Sequence, residues 1–325
     1  MLKRTADAEQ REQNRENRTD KEPDMSGANV APELPSSEEL ITSQVLHSFD
    51  NVPSPRFKEV IKALVTHLHA FEREVRLTTG EWEAAIAFLT RAGQMTTAQR
   101  QEFILASDVL GLSSLTVAIN APKDSRATEA TVLGPFYLPD SPEISLGDDL
   151  AAGAEGTPCW VGGRVLSTDG SPIAGAILEI WEADENGFYD VQYEGGKTAA
   201  RGSMRSGPGG EYRFWSVRPA PYPIPCDGPV GDLLRAAGRS PMRPAHIHIR
   251  AQAPGYRSLV THIFLAGDDH LYSDAVFGVK ESLITEVVEH PPSVAPDGSQ
   301  LAQPWVSLAF DVVLCPETTA KDLRR

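Results

Sequence analysis

Two His-x-His pairs carry the same spacing in this chain, one in VTHLHAF (residues 65–71) and one in RPAHIHIRA (residues 243–251). Two imidazoles can share a metal ion only if the backbone points them the same way. The first pair lies in a helical stripe made by Phe57, Val60, Ile61, Leu64, Leu68, Phe71 and Val75. Residues two apart on a helix are separated by about 200°. His67 and His69 therefore diverge, and both are expected at the surface or rim. The second pair sits where polar and apolar residues alternate. Residues two apart on a strand share a face, so His246 and His248 converge while Ile247 and Ile249 turn to the core. Spacing alone leaves two readings open, a metal site or two polar residues on a solvated face.

Other residues could join the second pair. His262 falls on the next predicted strand, in SLVTHIFLAGD. Tyr189 ends WEADENGFY, just after a predicted strand ending at Trp181, and Tyr222 lies in RPAPYPIPCDGP, just after one ending at Val217. A single tyrosine fits a structural place at a loop rim, where its ring is apolar and its hydroxyl wet. Two of them beside a His-x-His strand suggest more. A phenolate is a hard, anionic oxygen donor suited to ferric iron.

These residues need a scaffold, and the chain's texture outlines one. A polar tail covers residues 1–38, nearly free of large apolar residues and expected to be disordered. Residues 39–121 read as helical. After the first stripe, a second helix is expected over Glu81–Ala92, capped by Thr79 and ended by Gly93. A third follows Thr96, with Thr96 and Gln99 spaced as a capping box. From residue 122 to 325, proline, glycine and Asp-Gly turns separate short runs. Strands are expected at Trp160–Leu166, Ala176–Trp181, Tyr212–Val217, Ala245–Ala251, Ser258–Leu265 and Trp305–Val313. The fold class is thus mostly β, an antiparallel sandwich or barrel behind a helical region. Long irregular stretches at Asp184–Gly210 and Arg218–Arg243 are where function is expected.

Composition narrows the function classes. The formal net charge is −15, which argues against a phosphate-backbone partner and hence against nucleic acid. No run suits a bilayer span, and the N-terminus lacks the apolar core of a secretory signal. Cys159, Cys226 and Cys315 are far apart and odd in number, so a reducing, cytoplasmic setting is expected.

The chain resembles the intradiol ring-cleavage dioxygenases, the catechol and hydroxyquinol 1,2-dioxygenase group. The resemblance rests on QEFILASDVLG, LGPFYLPDSP, GRVLSTDGSPIAGAILEIWEADENGFYD, RGSMRSGPGGEYRFWSVRPAPYPIPCDGPVGDLL, RPAHIHI and LVTHIFLAGD, in that order, over roughly residues 48–316. It implies a β-sandwich carrying one non-haem Fe(III) per subunit, preceded by a helical region through which two copies form a homodimer. Position by position, it implies Tyr189, Tyr222, His246 and His248 as ligands. Tyr222 would leave the metal when substrate binds and help take up a proton. Arg243 would stabilise negative charge on the ring. A phospholipid held at the helical interface is a further implication.

The same resemblance bears on substrate, an aromatic diol or triol cleaved with O₂. Catechol-cleaving members usually carry glutamine where this chain has His262. The LGPF turn and the YPIPCDGPVG loop look more like the hydroxyquinol type. The implied pocket holds Leu105, Asp108, Gly134, Pro135, Phe136, Ile224, Pro225 and His262. Asp108 could accept a hydrogen bond from a third ring hydroxyl, although it reads equally as a helix-surface carboxylate. Hydroxyquinol (benzene-1,2,4-triol), giving a maleylacetate-type product, is the favoured substrate, with catechol or a substituted catechol second. Two other classes stay in view. A cupin-like ferrous oxygenase could use His262 as its later histidine, but no acidic residue has the matching spacing. A non-enzymatic β-sandwich binding protein would leave both tyrosines without a task.

Overall fold

The computed structural model describes residues 36–97, 100–193 and 195–317. Chain contacts divide it into two compact units, one ending at Trp82 and one beginning at Glu83.

In the first unit, α1 (Ser37–Ser48) opens with a reciprocal cap. The Ser36 hydroxyl accepts the Glu39 N–H, and the Glu39 carboxylate accepts the Ser36 N–H. Ser37 and Glu38 therefore begin a helix, a correction to the tail assigned to residues 1–38: a local Ser-x-x-Glu signal outweighs the surrounding polarity. Residues 1–35 lie outside those described. Next comes α2 (Pro55–Val75), capped by Ser54 with Pro55 at its first position. The six residues Phe57, Val60, Leu64, Leu68, Phe71 and Val75 remain about half exposed. His67 is exposed, and His69 pairs through Nδ1 with Thr42 Oγ1 at 2.9 Å. The two rings do not share a site.

Helix α3 (Thr79–Met95) is longer than the expected Glu81–Ala92 and crosses the division between the units. Thr78, not Thr79, caps it, exchanging hydrogen bonds with Glu81. Gly93 lies inside its last turn rather than beyond its end. The expected Thr96–Gln99 pairing falls partly outside the described residues, since Gln99 is not among them. Thr96 Oγ1 bonds back to the Ala92 carbonyl.

The rest of the second unit follows as α4 (Glu102–Val109), α5 (Leu112–Asn120), β1 (Pro158–Ser167), β2 (Ile177–Glu182), β3 (Arg201–Arg205), β4 (Glu211–Val217), β5 (Tyr222–Pro223), α6 (Pro229–Ala236), β6 (Met242–Arg243), β7 (His246–Gln252), β8 (Leu259–Leu265), β9 (Ile284–Thr285), β10 (Val288–His290), β11 (Trp305–Ala309) and β12 (Val312–Leu314). One sheet is ordered β10-β11-β1-β12, with β4 also on β1; the other is β3-β2-β7-β8-β9. Val161 and Val165 from the first pack with Leu178, Ile180, Ile247, Ile249 and Ile263 from the second.

Two corrections follow. Both sheets are mixed: β11 and β12 run parallel to β1 in one, and β9 runs parallel to β8 in the other. The run Trp305–Val313, expected as one strand, breaks at Phe310–Asp311, where the Asp311 carboxylate accepts the Arg164 N–H. The break packs on Gly163, where a Cβ would come within 1.8 Å of the Phe310 carbonyl oxygen. The expected mostly-β class is met only in part: among the described residues helix (29%) slightly exceeds strand (24%). Among the described residues five helices precede the strands, and a sixth, α6, sits in Arg218–Arg243, expected to be irregular.

Candidate metal centre

Strand β7 does what the alternation requires. Ile247 and Ile249 are fully buried in the sandwich core, and His246 and His248 emerge together on the other face. Their Nε2 atoms are 3.1 Å apart. His248 sits between two neighbours in register, Trp181 on β2 and His262 on β8. The Trp181 ring stacks on it at 4.6 Å. Gly134 closes the other approach: it has φ +77°, and a Cβ there would lie 3.1 Å from His248 Cε1.

The tyrosines arrive from loops. After β2, Asp184 folds the chain back by accepting the N–H groups of Asn186 and Phe188. Gly187, at φ +81°, leaves room for Tyr222, whose Cβ a side chain there would meet at 2.9 Å. Tyr189 follows, with its N–H held by Gln192. Next in sequence, Asp190 forms a buried two-point ion pair with Arg201, which also donates to the Phe136 carbonyl. The Phe136 ring stacks on Tyr189 at 4.4 Å. Tyr222 is on β5, directly opposite Arg243 on β6.

These elements bring four donors to one point. The Tyr189 hydroxyl lies 3.0 Å from His248 Nε2, 3.4 Å from His246 Nε2 and 3.2 Å from the Tyr222 hydroxyl. Ligands about 2.1 Å from a common ion, at tetrahedral to octahedral angles, stand about 3.0–3.4 Å apart. The donor set therefore fits a metal ion, and its two phenols beside two imidazoles favour a hard, oxidised one.

The protonation states agree. Burial, followed by the positive charge of Arg243, holds His246 well below its ordinary pKa. His248 is lowered by burial and by its neighbouring histidines. Both are thus neutral with a lone pair to offer. His246 Nδ1 sits 2.6 Å from the Pro244 carbonyl, which fixes the proton there and frees Nε2. Burial, then the adjacent Tyr222, pushes the Tyr189 phenol well above its usual range; a cation at the site reverses that preference.

The remaining expected residues fall as follows. Leu105 and Ile224 share one buried apolar cluster. Asp108 is buried rather than at a helix surface. Burial raises its carboxyl, against a Ser113 hydrogen bond and the charge of Arg243. Gly134, Pro135, Phe136 and Pro225 are half-buried. His262, expected to line the pocket, is fully buried and meets His248 Nδ1 through Nε2 at 2.8 Å. Its Nδ1 has no hydrogen-bond partner among the described residues. Sequence reasoning missed Trp181, Gly187, the Asp190–Arg201 pair and Asp274, which bonds Arg243 at 3.2 Å. The arginine-rich RGSMRSG was a signal for Arg201; Asp274 lies in no motif.

Comparison with known proteins places this geometry. A family model described as "Dioxygenase" matches residues 133–316, and one described as "Catechol dioxygenase N terminus" matches residues 54–128. The hydroxyquinol 1,2-dioxygenase of Nocardioides simplex is 54% identical over 288 residues, 88% of this chain and 98% of the relative. The catechol 1,2-dioxygenase of Candida albicans is 38% identical over 293 residues, 88% of this chain and 95% of the relative. Among solved structures, a hydroxyquinol 1,2-dioxygenase from Pseudomonas putida superposes with a TM-score of 0.80 at 44% identity, covering 86% of this chain and 99% of that one.

Proposed function

The chain belongs to the intradiol ring-cleavage dioxygenases, and from that premise we propose that it opens hydroxyquinol between its two adjacent hydroxylated carbons. Both atoms of O₂ enter the product, a 3-hydroxymuconate that is a tautomer of maleylacetate. The observation that carries the reading is the cluster of two phenol oxygens and two imidazole nitrogens at coordination-shell spacing.

Tyr189, Tyr222, His246 and His248 would hold Fe(III). The chemistry supplied by the bound ion is Lewis acidity toward both adjacent ring oxygens and a route for the electron-rich ring to react with O₂. The protein's residues do the rest. Tyr222 accepts a proton from the entering diol. Its hydroxyl lies 3.5 Å from Arg243 Nη1, so a positive charge stands beside that proton transfer and beside charge developing on the ring. Asp108, buried and bonded to Ser113, is assigned to the third hydroxyl, which makes triol preferred over diol, since a ligand without it cannot satisfy the remaining carboxyl oxygen. His262 holds the His248 ring and tautomer. The half-exposed apolar face of α2 pairs with a second copy; nothing among the described residues supports the phospholipid. Three free cysteines suit a reducing cytoplasm.

The test is O₂ uptake by iron-loaded protein with hydroxyquinol and catechol in separate runs. Faster turnover of the triol is expected. Faster turnover of catechol would overturn the substrate and leave the reaction standing.

A further inference from the structure

We infer that Asp274 is a positioning residue that sets the Arg243 guanidinium for ring cleavage, an assignment that rests on the dioxygenase reading above. Asp274 lies in HLYSDAVFGV, beyond the last motif that carried the resemblance. Both side chains are almost wholly buried.

The geometry gives the arginine two ends. At one end, Nε donates to Asp274 Oδ1 at 3.2 Å. At the other, Nη1 lies 3.2 Å from His246 Nε2 and 3.5 Å from the Tyr222 hydroxyl. The aspartate is itself fixed. Its Oδ2 accepts the Gly278 N–H at 2.8 Å and its Oδ1 the Val276 N–H at 3.3 Å. Gly278 is shaped around the pair, because a Cβ there would lie 3.1 Å from Asp274 Oδ2 and 3.2 Å from Arg243 Nη2. Between them Phe277 holds φ +57°, a conformation rarely adopted by a bulky residue. Arg239 covers its ring at 4.8 Å.

A long flexible side chain delivers charge to one place only if something at its other end holds it. A buried ion pair is weak evidence for stability, whereas a fixed orientation at a reacting centre is a direct use of it. Asp108 also acts on Arg243 through space, but its carboxyl is engaged with Ser113. Among the described residues, Asp274 is the carboxylate that bonds Arg243.

The test uses iron-loaded full-length protein and the neutral isostere Asp274→Asn, with Asp274→Glu in reserve should the first not fold. Iron content and the visible tyrosinate band should match the wild type. kcat on the triol should fall about 10- to 100-fold, with KM within a few-fold. In an Arg243→Ala background the same change should cost less than about twofold, since the residue it positions is gone. A full, multiplicative loss in the double variant, or wild-type kcat in the single one, overturns the inference. A crystal structure of Asp274→Asn provides a readout independent of turnover: Nη1 should leave Tyr222 and His246, and an unmoved guanidinium overturns the inference. Wild-type protein that cleaves no diol would instead overturn the reaction reading.

Discussion

Replacing Glu182 with glutamine should make this protein more stable in mild alkali and leave it unchanged in acid. Glu182 ends β2 on the side that carries Leu178 and Ile180 into the core, and it is 1% exposed. The Ser216 hydroxyl donates to one carboxyl oxygen; the other has no partner among the described residues. Burial pushes the carboxyl from an ordinary 4.5 up to about 8, against the hydrogen bonds from Ser216 and the Val217 backbone. A raised acid binds its proton more tightly in the folded state. Its contribution is complete below pH 4.5, declines as the unfolded chain alone deprotonates, and is fully lost above pH 8. At about 1.4 kcal/mol per pH unit, that is about 5 kcal/mol over the window and about 3 kcal/mol by pH 7. The amide of Glu182→Gln has nothing to ionise. Thermal unfolding of both proteins at pH 5, 7 and 9 reads the difference directly. At roughly 2 °C per kcal/mol, the low end that a long chain takes, the variant should melt about 10 °C higher at pH 9 and level with wild type at pH 5. A difference that stays flat with pH, or one favouring the wild type in alkali, would show that burial does not hold the Glu182 proton in the folded chain.

Three other outcomes follow from the same geometry. Asp108→Ala should lower kcat/KM for hydroxyquinol at least about tenfold while moving the catechol value far less, read from O₂ uptake on both substrates. His262→Leu should weaken iron binding about 10- to 100-fold in a chelator competition, because His248 Nδ1 loses its partner. Gly163→Ala should cost at least about 3 kcal/mol in urea unfolding, since its Cβ would collide with the Phe310 carbonyl; an unaltered midpoint would show that the break after β11 can shift.

The parts of the site that were legible in sequence are those where backbone period decides the outcome. On β7 a period of two put His246 and His248 together and sent Ile247 and Ile249 inward; on α2 the helical period separated His67 from His69. The tyrosines were legible by residue type and by their place just after strands. What brings them to the histidines was not, because it depends on contacts distant in sequence: the Asp190–Arg201 pair, the space left by Gly187 and the stacking of Phe136. Sheet direction was equally hidden. Alternation reports which face is buried, not which strand is the neighbour, so the parallel pairing of β11 and β12 with β1 had no local sign. Helix ends were misplaced by a residue or more at Thr78 and Ser37, where a cap is decided by one hydroxyl and one carboxylate. Asp108 and His262 were found as candidates, but burial gave each a setting that spacing could not supply.

Intradiol cleavage breaks the bond between the two adjacent hydroxylated ring carbons and leaves one atom of O₂ on each. Mass spectrometry after one turnover of hydroxyquinol under ¹⁸O₂ by iron-loaded protein tests it most directly. The expected product is a ring-opened dicarboxylate carrying two labelled oxygens, one in each new carboxyl group. Unaltered triol, or a product opened beside rather than between the adjacent hydroxyls, would contradict it.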